Sequence, residues 1–110
     1  MKKKRYKTRW SEGALADVQN IIEYIARDSI ARATTINNRI FEAADTLCEH
    51  PYRGRVLPEL RDLVISEFRE IIVKPYRVVY RREKSSFLIV AVIDGRRNIR
   101  EHLFDIMMRT

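Results

Sequence analysis

From Tyr6 to Trp10 the side chains alternate, Tyr6, Thr8 and Trp10 on one face and Lys7 and Arg9 on the other, which predicts a half-buried strand. Ser11 follows as a helix N-cap, its hydroxyl placed to accept a bond from a first-turn amide, and Glu12 sets a negative charge at the positive end of the helix dipole. Leu15, Val18, Ile22 and Ile25 then recur at steps of three, four and three, with Ala14 and Ile21 beside them, so an amphipathic helix of about four turns is expected. A break falls near Asp28 and Ser29. After it Ala33, Ile36, Ile40, Ala44 and Leu47 repeat at helical steps until Pro51 forbids continuation. Two successive helices with one apolar stripe each form a hairpin, and an adjacent sheet is the natural surface to bury both stripes.

From Pro51 to about Val64 the periodicity dissolves, and Gly54 and Pro58 punctuate what reads as a connecting loop. Three apolar, β-branched and aromatic runs follow, Ile65 to Val73, Tyr76 to Arg82 and Phe87 to Ile93, separated by two and four residues. Gaps so short allow antiparallel hairpins and exclude a parallel crossover, so the runs form a meander. In the second strand Tyr76, Val78 and Tyr80 share one face, and Arg77, Val79 and Arg81 the other. The last strand is apolar on both faces and belongs inside the sheet. Ile99, Leu103 and Ile106 imply a short terminal helix. The expected fold is α+β, in the order β-α-α-β-β-β-α, with a helical hairpin on a small, mainly antiparallel sheet in a single domain over residues 1–110.

Composition narrows the function classes. Cys48 is the only cysteine, which excludes an internal disulfide and agrees with a reducing, cytoplasmic setting. Five lysines and arginines precede or flank Tyr6 before any apolar run begins, so no export signal is expected, and the longest apolar run is too short to span a bilayer. The net charge of +7 is unevenly spread: residues 1–10 carry six cations and no anion, residues 11–50 three cations against seven anions, and residues 51–110 thirteen against eight. An acidic partner is implied for the two basic parts.

His50 and His102 are the only histidines, and no His, Asp or Glu spacing suggests a metal site; neither a phosphate-binding glycine loop nor a nucleophile elbow is present, so no cofactor is expected. Arginine is what remains. Arg53, Arg55 and Arg61 stand in the loop, Arg69, Arg77, Arg81 and Arg82 on strands, and Arg96, Arg97 and Arg100 near the end. Guanidinium groups make planar, bidentate contacts to phosphate or carboxylate, so this set suits RNA phosphates or an acidic protein segment.

The order of elements, with Pro51-Tyr52-Arg53-Gly54-Arg55, Pro58-Glu59-Leu60, Phe68-Arg69-Glu70-Ile71-Ile72, Tyr76-Arg77-Val78-Val79-Tyr80-Arg81 and Asp94-Gly95-Arg96-Arg97, resembles the RelE/ParE toxins over nearly the whole chain. The resemblance implies a cytoplasmic toxin neutralised by a cognate antitoxin whose C-terminal segment wraps its surface. One branch, RelE-like, cuts messenger RNA on the ribosome without metal; the other, ParE-like, poisons DNA gyrase with no covalent chemistry of its own. Arg77 and Arg97 match two arginines of the RelE pattern, but Phe68 and Glu70 stand where that pattern has lysines, and Leu103 stands where it has a catalytic tyrosine.

His102 is the nearest group able to move a proton at neutral pH, so Arg77, Arg97 and His102 are the catalytic set of the ribonuclease alternative. Losing the tyrosine and both lysines favours the gyrase poison. The expected target- or antitoxin-binding residues are Arg69, Ile71, Val73, Tyr76, Arg77, Val79, Arg81, Arg96, Arg97 and Arg100, with Ile71, Val73 and Val79 supplying apolar positions on strand faces shared with arginine. A free toxin that pairs with itself is the alternative state of that surface. An orphan nucleic-acid-binding module ranks last, because a single-strand platform needs interleaved aromatics.

Overall fold

A computed structural model describes residues 6–61 and 67–110. The strand Lys7–Trp10 (β1) leads into helix Glu12–Ala26 (α1), capped by Ser11, whose Oγ accepts the Ala14 amide at 3.0 Å. Helix Ile30–Asp45 (α2) is capped likewise by Ser29 and ends in a 3₁₀ turn, Thr46–Cys48. Then come the strand Arg55–Val56 (β2), the helical turn Pro58–Arg61 (α3), the strands Phe68–Val73 (β3), Tyr76–Arg82 (β4) and Ser86–Asp94 (β5), a 3₁₀ turn Ile99–His102 and helix Leu103–Met107 (α4). No helix among the described residues is long and apolar enough to cross a membrane.

The sheet order is β1-β5-β4-β3-β2, antiparallel throughout except that β1 pairs parallel with β5. The expected α+β order is therefore observed, with two additions. The segment read as a plain loop contains β2 and α3, too short for periodicity to register. Its end, residues 62–64, and the start of the run expected from Ile65 lie outside the described residues, and β3 is seen from Phe68.

Both sheet faces are covered. Ile71, Val73, Tyr76, Val78, Tyr80, Phe87, Ile89 and Val92 meet Ala14, Val18 and Ile25 of α1 and Ala33, Ile40 and Ala44 of α2. Leu15 is a correction: it is 46% exposed, and Ala14 occupies the buried position instead. On the opposite face Phe68, Val79, Leu88, Val90 and Ala91 meet Leu57, Leu60, Ile99 and Ile106. β5 lies buried on both sides, as its continuous apolar run implied.

The pairing of β4 with β5 slips between Val79 and Tyr80, leaving Val90 as the extra residue of a β-bulge. Val90 and Ala91 consequently belong to the same face. The bulge's backbone groups find side-chain partners: the Val90 carbonyl accepts from Ser11 Oγ at 3.4 Å and from Arg109 Nη1 at 2.9 Å, and the Val92 amide donates to Asp17 Oδ2 at 3.0 Å.

Candidate functional site

The sheet face away from the helical hairpin carries Glu70 on β3 and Arg77 on β4, brought together by the antiparallel register in which Ile72 opposes Arg77 and Glu70 opposes Val79. Glu70 has a wholly buried side chain. Its Oε1 accepts from Arg77 Nε at 2.5 Å, and its Oε2 accepts from Arg55 Nε, on β2, at 2.9 Å. Glu59 of α3 approaches from the other side, accepting from Arg77 Nη1 at 2.8 Å and Nη2 at 2.6 Å. Three guanidinium nitrogens of Arg77 are thus committed to two carboxylates, and the residue is 8% exposed. Hydrogen bonding to Arg77 holds the Glu59 carboxyl below its ordinary range, and the same pairing holds the Arg77 proton more firmly than usual.

Beside this network a groove of about 340 Å³ is lined by Arg55, Glu59, Ile72, Lys74, Arg77 and Arg96, among others. A second groove of about 270 Å³, between α2 and β3, is lined by Arg39, Glu42, Thr46, Arg53 and residues Ile71, Ile72 and Val73. Of Arg77, Arg97 and His102, only Arg77 lines either of these two grooves. His102 is exposed where the 3₁₀ turn meets α4, with no hydrogen-bond partner among the described residues.

The other expected site residues divide by burial. Ile71, Val73 and Tyr76 lie under the helical hairpin at 5–7% exposure, and Val79 is fully buried on the opposite face. They share faces with arginine as strand parity requires, but form core rather than the mixed surface expected, because α2 covers one face while α3 and the terminal segment cover the other. Burial raises the Tyr76 phenol above its ordinary pKa. Arg69 is part-buried and donates to the Gly54 carbonyl at 2.9 Å; Arg81 donates to the Arg109 carbonyl at 3.0 Å. Arg96 forks onto Asp94 at 2.9 and 2.6 Å. The Arg97 and Arg100 guanidiniums are exposed and bonded to no described residue.

Glu59, Glu70 and Arg109 were missed from sequence, and Arg55, noted there among the loop arginines, is bound to Glu70. One signal for Glu70 was available: it falls between Phe68 and Ile72 on one strand face, where a buried carboxylate requires a cation. The partnership of Glu59 with Arg77, eighteen residues apart, had no comparable signal.

Comparison with known proteins agrees with this architecture. Residues 8–99 match the family model described as ParE toxin of type II toxin-antitoxin system, parDE. The chain is 37% identical over 70 residues to Toxin RelE2 of Caulobacter vibrioides, an alignment covering 64% of this chain and 72% of that protein. A solved structure described as the chromosomal ParDE TA system from P. aeruginosa superposes with a TM-score of 0.66 at 17% identity, covering 82% of this chain and 96% of the other, and so shares the fold. With the family model spanning most of the chain and the fold reproduced, this protein belongs to the ParE toxin family of type II toxin–antitoxin systems.

Proposed function

We propose that this toxin acts in the cytoplasm by protein–protein contact with DNA gyrase, without cutting RNA, and that a cognate antitoxin neutralises it. The observation that carries this reading is the state of Arg77. A guanidinium that stabilises a scissile phosphate must present free N–H groups to it, whereas Arg77 is buried and held by Glu59 and Glu70. The one imidazole near the end of the chain, His102, stands outside both grooves and has no group among the described residues to orient it for proton transfer. One basic surface left open is the turn bearing Arg97 and Arg100, close in sequence to the outward Phe104 of α4 and to Met108 just after it, which suits contact with a protein target better than in-line chemistry on RNA.

The test is supercoiling of relaxed plasmid by gyrase with the purified toxin titrated in. Loss of supercoiling together with linear cleaved plasmid supports the reading, and Arg97→Glu with Arg100→Glu should relieve it. No effect at large excess, with messenger RNA cut on ribosomes and cutting abolished by His102→Ala, would replace it with the ribonuclease alternative.

A further inference from the structure

The corner between α1 and α2 meets the β3–β4 turn and the end of β5. Tyr76 opposes Asp94 across β4 and β5, and the Gly95 amide donates to the Pro75 carbonyl at 2.8 Å, so Lys74 and Arg96 leave adjoining turns and line one groove. The Tyr76 ring ties these turns to the helices. Burial raises its phenol, Asp94 adds to the rise and Arg96 and Arg32 oppose it, so side chains from the end of β5 and from α2 stand around one hydroxyl, with Tyr24 of α1 near them. Arg27 lies over the Tyr24 ring, 6.0 Å from its centroid. Four cations from three segments, Arg27 and Arg32 of the helical corner, Lys74 and Arg96, therefore share one end of the molecule.

Most of this charge is not met within the fold. Arg27, Arg32 and Lys74 are exposed and ion-paired with no described carboxylate, and Glu23 and Asp28 of the same corner pair with no described cation. Asp94 binds Arg96 through Nε and Nη2, which fixes that guanidinium and leaves its Nη1 bonded to no described residue. Arg32 stands in the first turn of α2, where there is no acidic residue, so it opposes the positive end of the helix dipole. A cation set against its local electrostatics marks a place where function overrides stability, and an anion from outside the chain would offset it.

We infer that this end of the toxin holds the sugar–phosphate backbone of duplex DNA. Backbone phosphates are taken by Arg, Lys, hydroxyl side chains and helix N-termini, and each kind of donor is present here, the hydroxyl being that of Tyr24, 70% exposed. A protein is the poorer occupant, because the centre of a protein interface is depleted of charge while this end presents cations from three segments. Contacts to phosphate alone read no base, so the binding is independent of sequence and falls steeply with salt. Arg97 follows Arg96 on the surface assigned above to gyrase, so the two surfaces are continuous: one touches the enzyme and the other the DNA that the enzyme handles. The choice of DNA rests on that gyrase reading.

The probe is a fluorescein-labelled DNA duplex of about 20 base pairs, its binding to the full chain followed by anisotropy from about 50 to about 200 mM salt. Arg27→Glu with Arg32→Glu should weaken binding by at least about tenfold and Lys74→Glu by about threefold, each lost contact lowering the salt slope by about one. Arg32→Glu alone places a carboxylate at the positive end of α2, so its melting temperature should hold or rise, which separates lost binding from lost folding. Arg39→Glu with Arg53→Glu makes the same change in net charge at the groove between α2 and β3, and should weaken binding by less than about threefold. Equal loss in that control pair, or undiminished binding by Arg27→Glu with Arg32→Glu, would overturn the site, and tighter binding of single-stranded or duplex RNA of the same sequence would overturn the choice of DNA. A toxin that blocks gyrase supercoiling but holds no DNA would sink this inference and leave the gyrase reading standing; a toxin that holds DNA as expected but never inhibits gyrase would remove the gyrase reading and leave the site.

Discussion

Glu59 meets Arg77 fork to fork, its Oε1 2.6 Å from Nη2 and its Oε2 2.8 Å from Nη1, while the remaining Nε is taken by Glu70. The arrangement joins α3, β3 and β4 on the face away from the helical hairpin, and Arg55 extends it to β2. Removing one partner of a buried ion pair strands the other charge, at a cost of about 3–5 kcal/mol. Glu70→Gln, with a wholly buried side chain, should fall in that range in urea unfolding. Glu59→Gln should cost less, since its side chain is 18% exposed. Arg77→Lys should not rescue, because an ammonium cannot fork onto one carboxylate while bonding a second.

Acid should weaken the fold through Glu59 and Asp94. Both carboxyls lie below their ordinary values, Glu59 because Arg77 donates to it and Asp94, at about 2, because Arg96 does. With the folded pKa depressed, the unfolded chain binds protons first as pH falls. The stabilisation is present above the unfolded carboxyl range near pH 4 and is lost on descending toward the folded values. Melting temperature followed from about pH 5 to about pH 2 should therefore fall, and the slope should flatten in Asp94→Asn combined with Glu59→Gln.

Gly54 has no room for a side chain. A Cβ there would overlap the Tyr80 hydroxyl, which accepts the Gly54 amide at 3.1 Å, and would lie 2.7 Å from the Glu70 carbonyl oxygen. Gly54→Ala should destabilise the domain by about 1–3 kcal/mol. Tyr80→Phe alone should cost about 1 kcal/mol for the lost hydroxyl. The double variant should not recover the parent stability in thermal melts, because the Glu70 backbone contact stays.

Arg109 fastens the terminal helix. Its guanidinium bonds Asp17 at 2.8 Å and the Val90 carbonyl of the bulge at 2.9 Å, and its own carbonyl accepts from Arg81. Arg109→Ala should leave the sheet intact yet loosen α4, seen as faster amide exchange in residues 103–108 with the β4 amides unchanged. Equal loss of protection in both places would mean that the clamp supports the whole domain.

Local periodicity determined much of this molecule. Two helices with single apolar stripes, an N-cap serine ahead of each, and three β-rich runs with gaps too short for crossovers leave few arrangements other than a hairpin on an antiparallel sheet. The double-sided burial of β5 was equally legible, since nothing polar interrupts Phe87 to Ile93.

Tertiary structure alone decided which arginines are available. By residue type Arg77 and Arg97 are equivalent, yet one is locked by Glu59 and Glu70 and the other stands open in a turn. Those partners come from elements too short for periodicity to reveal and from a strand register that sequence does not state. The same holds for Ile71 and Ile72: adjacent, chemically identical side chains, one in the core and one 44% exposed, separated by strand parity and by where the two-residue β2 stops.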